Sequence, residues 1–308
     1  MVSLANNDAR DLDVPPAPRG RRYSRARATS LATSFVGGSL VVTYLSLIVL
    51  IPIAALVAHG LSITVQTNGW GFAFWHWDVH ADLSAFWSSI TQAPALHAIF
   101  LSLWLSFAVA AINAVMGVAI AWVLVRDRFP GKGVIDAFID LPFALPTIVV
   151  GVVLLVLYGT TSPLHVDLFE TWMGLMLALL FVTLPFSVRA VQPVLASLDG
   201  EAEAAAKSLG AGGIRTFAWV VLPSLWPAVL GGFGLAFARA IGEFGSISLI
   251  AGGIGRTTTA SSFIYNLTQA FLWTDAAAVS TALLILALIV LITTNLVARQ
   301  IQRRLSSS

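Results

Sequence analysis

Six stretches of this chain are long and apolar enough to cross a lipid bilayer, and that removes most folds from consideration. They lie at about 35–59, 95–125, 136–158, 172–195, 226–252 and 274–298, and each exceeds the ~18 residues that mark a spanning helix. In hydrocarbon a backbone N–H or C=O finds no water, so an open sheet cannot be satisfied there and a span bonds to itself as a helix. Hydrophobic residues make up 57% of the 308 and charged residues 10%, a balance that soluble domains rarely reach. The expected fold class is an all-α membrane protein with six spans.

Where the charges fall sets the topology. Arg10, Arg19, Arg21, Arg22, Arg25 and Arg27 precede the first span, and Arg126, Arg128 and Lys132 follow the second. Arg189, Lys207 and Arg215 surround the loop after the fourth, and Arg299, Arg303 and Arg304 close the chain. Only Arg256 falls in a loop on the opposite side, while Arg239 lies inside a span. Basic residues collect on the cytoplasmic side, so both termini are expected there, which an even number of spans also requires. Residues 1–34 read as a disordered basic tail, 35–298 as the membrane domain and 299–308 as a short cytoplasmic tail. Membrane lipid is the expected surround, and no nucleic-acid partner is expected. The first apolar core is too long for a signal peptide and reads as a retained anchor.

Several chemistries are excluded or unsupported. The chain has no cysteine, hence no disulfide, thiolate metal site or cysteine nucleophile. Gly131-Lys132-Gly133 lacks the upstream glycine and the Ser/Thr of a phosphate-binding loop, so no ATP site is expected here. His76 and His80 stand four apart with Asp78 and Asp82 nearby. In an outer loop that also holds Trp70, Trp75, Trp77 and Trp87, these read as surface histidines beside an interfacial aromatic patch, and no metal is assigned. No internal repeat is visible, and no catalytic residues are assigned.

Two segments inside the spans carry unusual residues. The third opens Asp140-Leu141-Pro142-Phe143-Ala144-Leu145-Pro146. Its two prolines each remove a backbone donor, and both a packing kink and an opening onto a wet cavity remain possible. The fifth contains Gly234, Ala238 and Gly242 as a small-xxx-small stripe. Beside it Arg239 and Glu243 stand at i, i+4, where they can pair. Each ion costs roughly 2.5–3.5 kcal/mol in mid-membrane, so neither is expected to face lipid. Asp140, Pro142, Pro146, Arg239, Gly242, Glu243 and Gly245 are therefore candidates for a gate, a pathway or helix packing.

The loop from Asp199 to Pro223 reads DGEAEAAAKSLGAGGIRTFAWVVLP. Asp199 can cap a short helix, Glu201 and Glu203 suit its positive end, and Lys207 suits its negative end. Gly210 stands where a helix stops. Ala202, Ala205, Ala206 and Leu209 form a narrow apolar face, fit either for the chain's own bundle or for a partner's groove.

This loop resembles the EAA loop of ABC-importer permeases, whose pattern is E-A-A, three residues, G, nine residues, I-x-L-P. Counted from Gly210, the chain shows Ala204-Ala205-Ala206 and Val220-Val221-Leu222-Pro223. The family glutamate thus falls on Ala204, with Glu203 one place early. The runs 140–147 (DLPFALPT), 191–195 (VQPVL) and 242–252 (GEFGSISLIAG) are similar to those of the sulfate/thiosulfate permeases, above all their T-type subunit. The resemblance implies a type I importer bundle with a cytoplasmic coupling helix, in a bacterial inner membrane. It also implies that Glu201, Glu203, Ala204, Ala205, Ala206, Gly210, Leu222 and Pro223 couple to an ATPase. The implied assembly has two ATP-binding subunits, a W-type permease partner and a periplasmic or lipid-anchored sulfate-binding protein, with ATP and Mg held by the ATPase and no cofactor on this chain. Molybdate or tungstate is the alternative cargo. An ion-coupled secondary transporter is the alternative of another class, with Asp140 and Glu243 as its candidate coupling carboxylates.

Overall fold

In a computed structural model, residues 37–67, 77–198, 200–251 and 255–307 are described. Contacts divide the chain between Ala55 and Leu56. Among the described residues, five helices are long and apolar enough to cross a membrane. These are α1 (Gly37–Gly60), α3 (Ala93–Arg126), α7 (Trp172–Ser197), α9 (Gly213–Ile241) and α12, whose apolar stretch is Trp273–Arg304 and which runs on to Ser307. Shorter elements lie between them: α2 (Leu83–Thr91), α4 (Lys132–Ile139), α5 (Leu141–Ala144), α6 (Thr147–Tyr158), α8 (Glu201–Ser208), α10 (Gly245–Ile250) and α11 (Ala260–Gln269). The loop after α1 adds an antiparallel ribbon, β1 (Ile63–Thr67) against β2 (Trp77–Ala81), with Val65 opposite Val79. Among the described residues the fold departs from the all-helical expectation in that loop alone.

The third and fifth spans differ from the sequence expectation, and the same physics explains both. The stretch 136–158 is not one helix. Pro142 sits in the first turn of α5, and Pro146 immediately precedes α6. A proline lacks the N–H that an interior position must donate but is well suited to a first turn, so the two prolines start two helices instead of kinking one. The fifth span begins earlier, at Gly213, and ends at Ile241. Gly242 closes it, and after Phe244 the chain restarts as α10. At its other end Pro223 follows a π turn, Phe217–Val221, in which the Leu222 N–H reaches back to the Phe217 carbonyl.

The core of the bundle is α3, α7 and α9, which meet at Ser187. A Cβ on Gly117 of α3 would lie 2.8 Å from the Ser187 Cβ, and one on Gly232 of α9 would lie 3.1 Å from the Ser187 Cα. Helices approach this closely only where side chains are nearly absent. Asn113 of α3 adds a polar tie, donating to Thr183 Oγ1 at 2.8 Å and to the Leu180 carbonyl at 3.2 Å. Around this crossing Ala114, Val118 and Ala121 pack with Val191, Leu195, Leu225 and Val229. Beyond it, α9 meets α11 and α12 through Phe237, Ile241, Ala260, Val279 and Leu283. The two glycines of the small-xxx-small stripe differ. Gly234 approaches Thr294 of α12 closely, whereas Gly242 is exposed and meets no neighbouring helix.

The half-length helices α6 and α10 form a second tight contact. A Cβ on Gly151 would lie 2.8 Å from the Ser246 carbonyl oxygen, and one on Gly245 would collide with Thr147. Val150 and Leu154 fill the space against Leu179, Ile247 and Ile250.

Overpacking a dense crossing costs about 1–3 kcal/mol. Gly117→Val is therefore expected to lower the thermal unfolding midpoint of the detergent-purified protein. Gly231→Ala, where a Cβ would meet nothing within 4 Å, should leave that midpoint unchanged or raise it.

Candidate functional site

The loop helix α8 sits at the end of the bundle reached by the C-termini of α3 and α7 and the N-terminus of α9. Gly200 precedes it without a side-chain cap; Asp199, expected to cap it, lies outside the described residues. Its other end is a full Schellman stop. Gly210 adopts φ +83°, its N–H donates to the Lys207 carbonyl at 3.0 Å, and the Ala211 N–H donates to the Ala206 carbonyl at 3.0 Å. The two faces of α8 then divide sharply. Glu203 turns inward and pairs with Arg126, the last residue of α3, at 2.6 Å. Arg126 also donates to the Leu198 carbonyl at 3.2 Å. Glu203 is thus an anchor to its own bundle, not a group presented outward. Glu201, Ala202, Ala204, Ala205 and Lys207 are exposed, and Ala206 is half-buried.

Apolar side chains extend this bare edge. Leu209 and Ile214 are each 88% exposed and Trp219 is 80% exposed, at the end of the bundle rather than along its apolar flank. Ile214 and Trp219 border a depression of about 520 Å³ with Gly212, Gly213, Arg215 and Ala218. Leu222 and Pro223 do not join this surface. They are half-buried at the junction of the π turn with the rest of α9.

A second cluster was not legible from spacing. Arg189 of α7 grips Asp140 with two nitrogens, Nε to Oδ1 at 2.8 Å and Nη2 to Oδ2 at 2.6 Å. Its Nη1 reaches Asp136 at 2.7 Å and Gln192, and its Nη2 reaches the Asp136 carbonyl at 3.0 Å. The broken segment α4–α5 is thereby clamped to α7 just before the proline that opens α6. In the sequence Arg189 reads as a loop charge. Its place within the apolar run 172–195 was the available signal, since an arginine inside a span demands a partner.

The third cluster is the expected pair. Arg239 Nη1 and Glu243 Oε2 are in contact, and Glu243 is buried, 2% exposed. The other carboxylate oxygen, Oε1, accepts the Ser246 N–H at 2.9 Å. The Glu243 carbonyl accepts the Ser261 hydroxyl at 2.6 Å, tying the break after α9 to α11. Pro142 is buried beside the Arg189 clamp, and Gly245 supplies the close approach to α6.

At the opposite end of the bundle, a cavity of about 1100 Å³ is lined by His97, Trp104, Asp167, Glu170, Trp172 and Arg256, among others. Asp82 there caps α2. Its Oδ1 accepts the Ser84 N–H at 3.0 Å, the Ser84 hydroxyl at 2.5 Å and the Ala85 N–H at 3.2 Å. These bonds, with that of the Ser84 hydroxyl foremost, hold the carboxyl below its usual range. His76 lies outside the described residues, and among those described no group of three His, Asp or Glu could hold a metal ion.

The arrangement is that of a membrane helix bundle with one bare, laterally anchored helix at its end. Residues 113–307 match the model of the binding-protein-dependent transport system inner membrane component. The chain belongs to that permease family. Its relatives include the sulfate transport system permease protein CysT of Salmonella typhimurium (strain LT2), 34% identical over 94% of this chain and 98% of that protein. The CysT protein of Synechocystis sp. is 37% identical over 83% of this chain and 86% of its own length. Among solved structures, the permease fold is shared with a bacterial ABC transporter involved in alginate import, at a TM-score of 0.67, 15% identity and coverage of 91% of this chain and 99% of the other. The MetNI methionine ABC transporter matches with a TM-score of 0.53 and 15% identity, over 68% of this chain and 99% of the other. This permease is therefore a multi-pass inner-membrane component of the ABC-importer type.

The Arg126–Glu203 contact makes α8 part of the bundle. Removing one partner of a largely buried pair leaves the other unpaired, a loss of about 1–3 kcal/mol. Arg126→Gln and Glu203→Gln are each expected to raise amide exchange across 201–208, with the double variant no worse than either single one. Additive effects would show that the two side chains act independently.

Proposed function

We propose that this permease is the T-type subunit of an ATP-driven importer that carries sulfate and thiosulfate into the cytoplasm. The observation that carries the reading is similarity to sulfate transport system permeases at 34% identity across 94% of the chain. The geometry agrees with it. The chain presents a bare helix on a rigid mount. In this reading α8, with Glu201, Ala204, Ala205 and the exposed Leu209, seats in a groove of one of two ATP-binding subunits, which hold ATP and Mg. Glu203, Ala206 and Gly210 fix its position. A related W-type permease completes the membrane pair, and an external sulfate-binding protein delivers the anion to the end opposite α8. Both termini are then cytoplasmic. ATP binding moves α8 and opens the pair outward; hydrolysis returns it. Such a cycle requires the ATPase to distinguish two states of the permease.

Labelled-sulfate uptake in cells lacking this chain tests the reading. Restoring the chain should restore uptake, with unlabelled thiosulfate competing and molybdate not competing. Molybdate accumulation without sulfate uptake would keep the machine and change the cargo. Within the same assay, Gly210→Leu forces a side chain into left-handed backbone and should reduce uptake at least ten-fold while the protein still reaches the membrane. Normal uptake by that variant would remove α8 from the coupling path.

A further inference from the structure

Helix α9 is covered unevenly. One side packs on α3, α7 and α12, and the least covered side carries Ala228, Gly231, Leu235, Arg239 and Gly242, spaced so that they follow one another up the helix. The lower part of this stripe floors a groove of about 580 Å³, walled by Ala190 and Val194 of α7 and Gln302 of α12, with Leu235 among its lining residues. Arg239 stands one turn beyond Leu235. Its partner Glu243 borders a small cavity with Ser102 and Ser106 among apolar neighbours, and those serines lie within the 34 residues of α3. The guanidinium thus stands in the last turn of α9, alongside the length of α3 and not beyond its end.

A cation inside a span costs up to roughly 2.5–3.5 kcal/mol on insertion scales, so it is kept only where partners or water meet its charge. Here the burial is one-sided. Glu243 is 2% exposed and Arg239 31%. The carboxylate spends Oε1 on the Ser246 N–H and Oε2 on Arg239 Nη1, so its charge is directed into the protein. Nε and Nη2 of Arg239 have no partner among the described residues. That edge of a guanidinium offers two parallel N–H donors, matched to two oxygens of one oxyanion.

We propose that Arg239 is the anion-contacting residue of the translocation path, taking two oxygens of a tetrahedral oxyanion on its Nε–Nη2 edge while Glu243 holds the opposite edge. The proposal rests on the oxyanion-importer reading above. Glu243 has a definite task in it: by neutralising part of the cation it keeps the contact weak enough to release its cargo, as conduction through a binding site requires.

Uptake of labelled sulfate by cells carrying the complete complex tests this, with membrane level and co-purification of the partner subunits measured for each variant. Arg239→Gln should lose at least ten-fold in uptake, and Arg239→Lys should retain clearly more than Arg239→Gln. The doubly neutral Arg239→Gln, Glu243→Gln variant separates the two roles. If the pair only holds helices together, removing both charges leaves no unpaired buried ion, and transport should recover. If Arg239 meets the anion, the double variant stays as inactive as Arg239→Gln although the complex assembles. Recovery in the double variant, or full uptake by Arg239→Gln, overturns the proposal while leaving the importer reading intact. Should the double variant fail to assemble, the lysine variant decides: uptake no better than that of Arg239→Gln overturns the proposal. Failure of the unaltered complex to take up any tetrahedral oxyanion overturns the importer reading and this proposal with it.

Discussion

Three long helices touch at Ser187, and the position of every other element follows from how closely they do so. Gly117 and Gly232 let α3 and α9 close on the same residue of α7 from two sides. In lipid there is little hydrophobic gain from bringing one apolar helix to another, so close packing and buried polar contacts must hold the bundle. The Asn113–Thr183 bond lies on the same α3–α7 seam. The Ser187 hydroxyl itself is buried without a hydrogen-bond partner. Fixing α3, α7 and α9 at this point sets the spacing at the α8 end, where all three terminate, and at the far end, where α6, α10 and α11 fill the gaps between them.

Those fillers are short because the chain cannot continue through them as regular helix. Pro142 and Pro146 start α5 and α6, and the turn at Gly242 separates α9 from α10. A twelve-residue helix is about 18 Å long, too short to cross alone. α6 is retained at membrane depth because its glycine lies on the backbone of α10. Each break leaves polar backbone to be satisfied within the bundle, and Glu243 and Ser261 do part of that at the second.

What could be read in advance was local. Hydropathy alone revealed the existence of the spans, because twenty apolar residues in a row have few other uses. The Arg239–Glu243 pair was visible because its partners are one turn apart on one helix. Gly210 was visible because a Schellman stop is written in six consecutive residues. What stayed hidden was set by tertiary register. Glu203 meets Arg126 across 77 positions and Arg189 meets Asp140 across 49, and no spacing rule connects residues on different helices. The same limit explains Gly242: its sequence interval from Gly234 fits a packing stripe, but the helix ends there, so the glycine serves a break instead. The prolines of the third span were recognised as disruptive, yet whether two prolines bend one helix or begin two depends on what lies alongside.

The contact between Glu203 and Arg126 has a mechanical consequence. A helix carried on two loops alone would absorb a push by flexing those loops. Because α8 is pinned to the last residue of α3, a force on its bare edge enters an uninterrupted lever that crosses the bundle core, about 50 Å from end to end by its 34 residues. The fulcrum is the crossing at Gly117, roughly a quarter of the way from Arg126 toward Ala93. A small sideways step at Arg126 therefore becomes a larger, opposite swing at Ala93, beside the cavity at the other end.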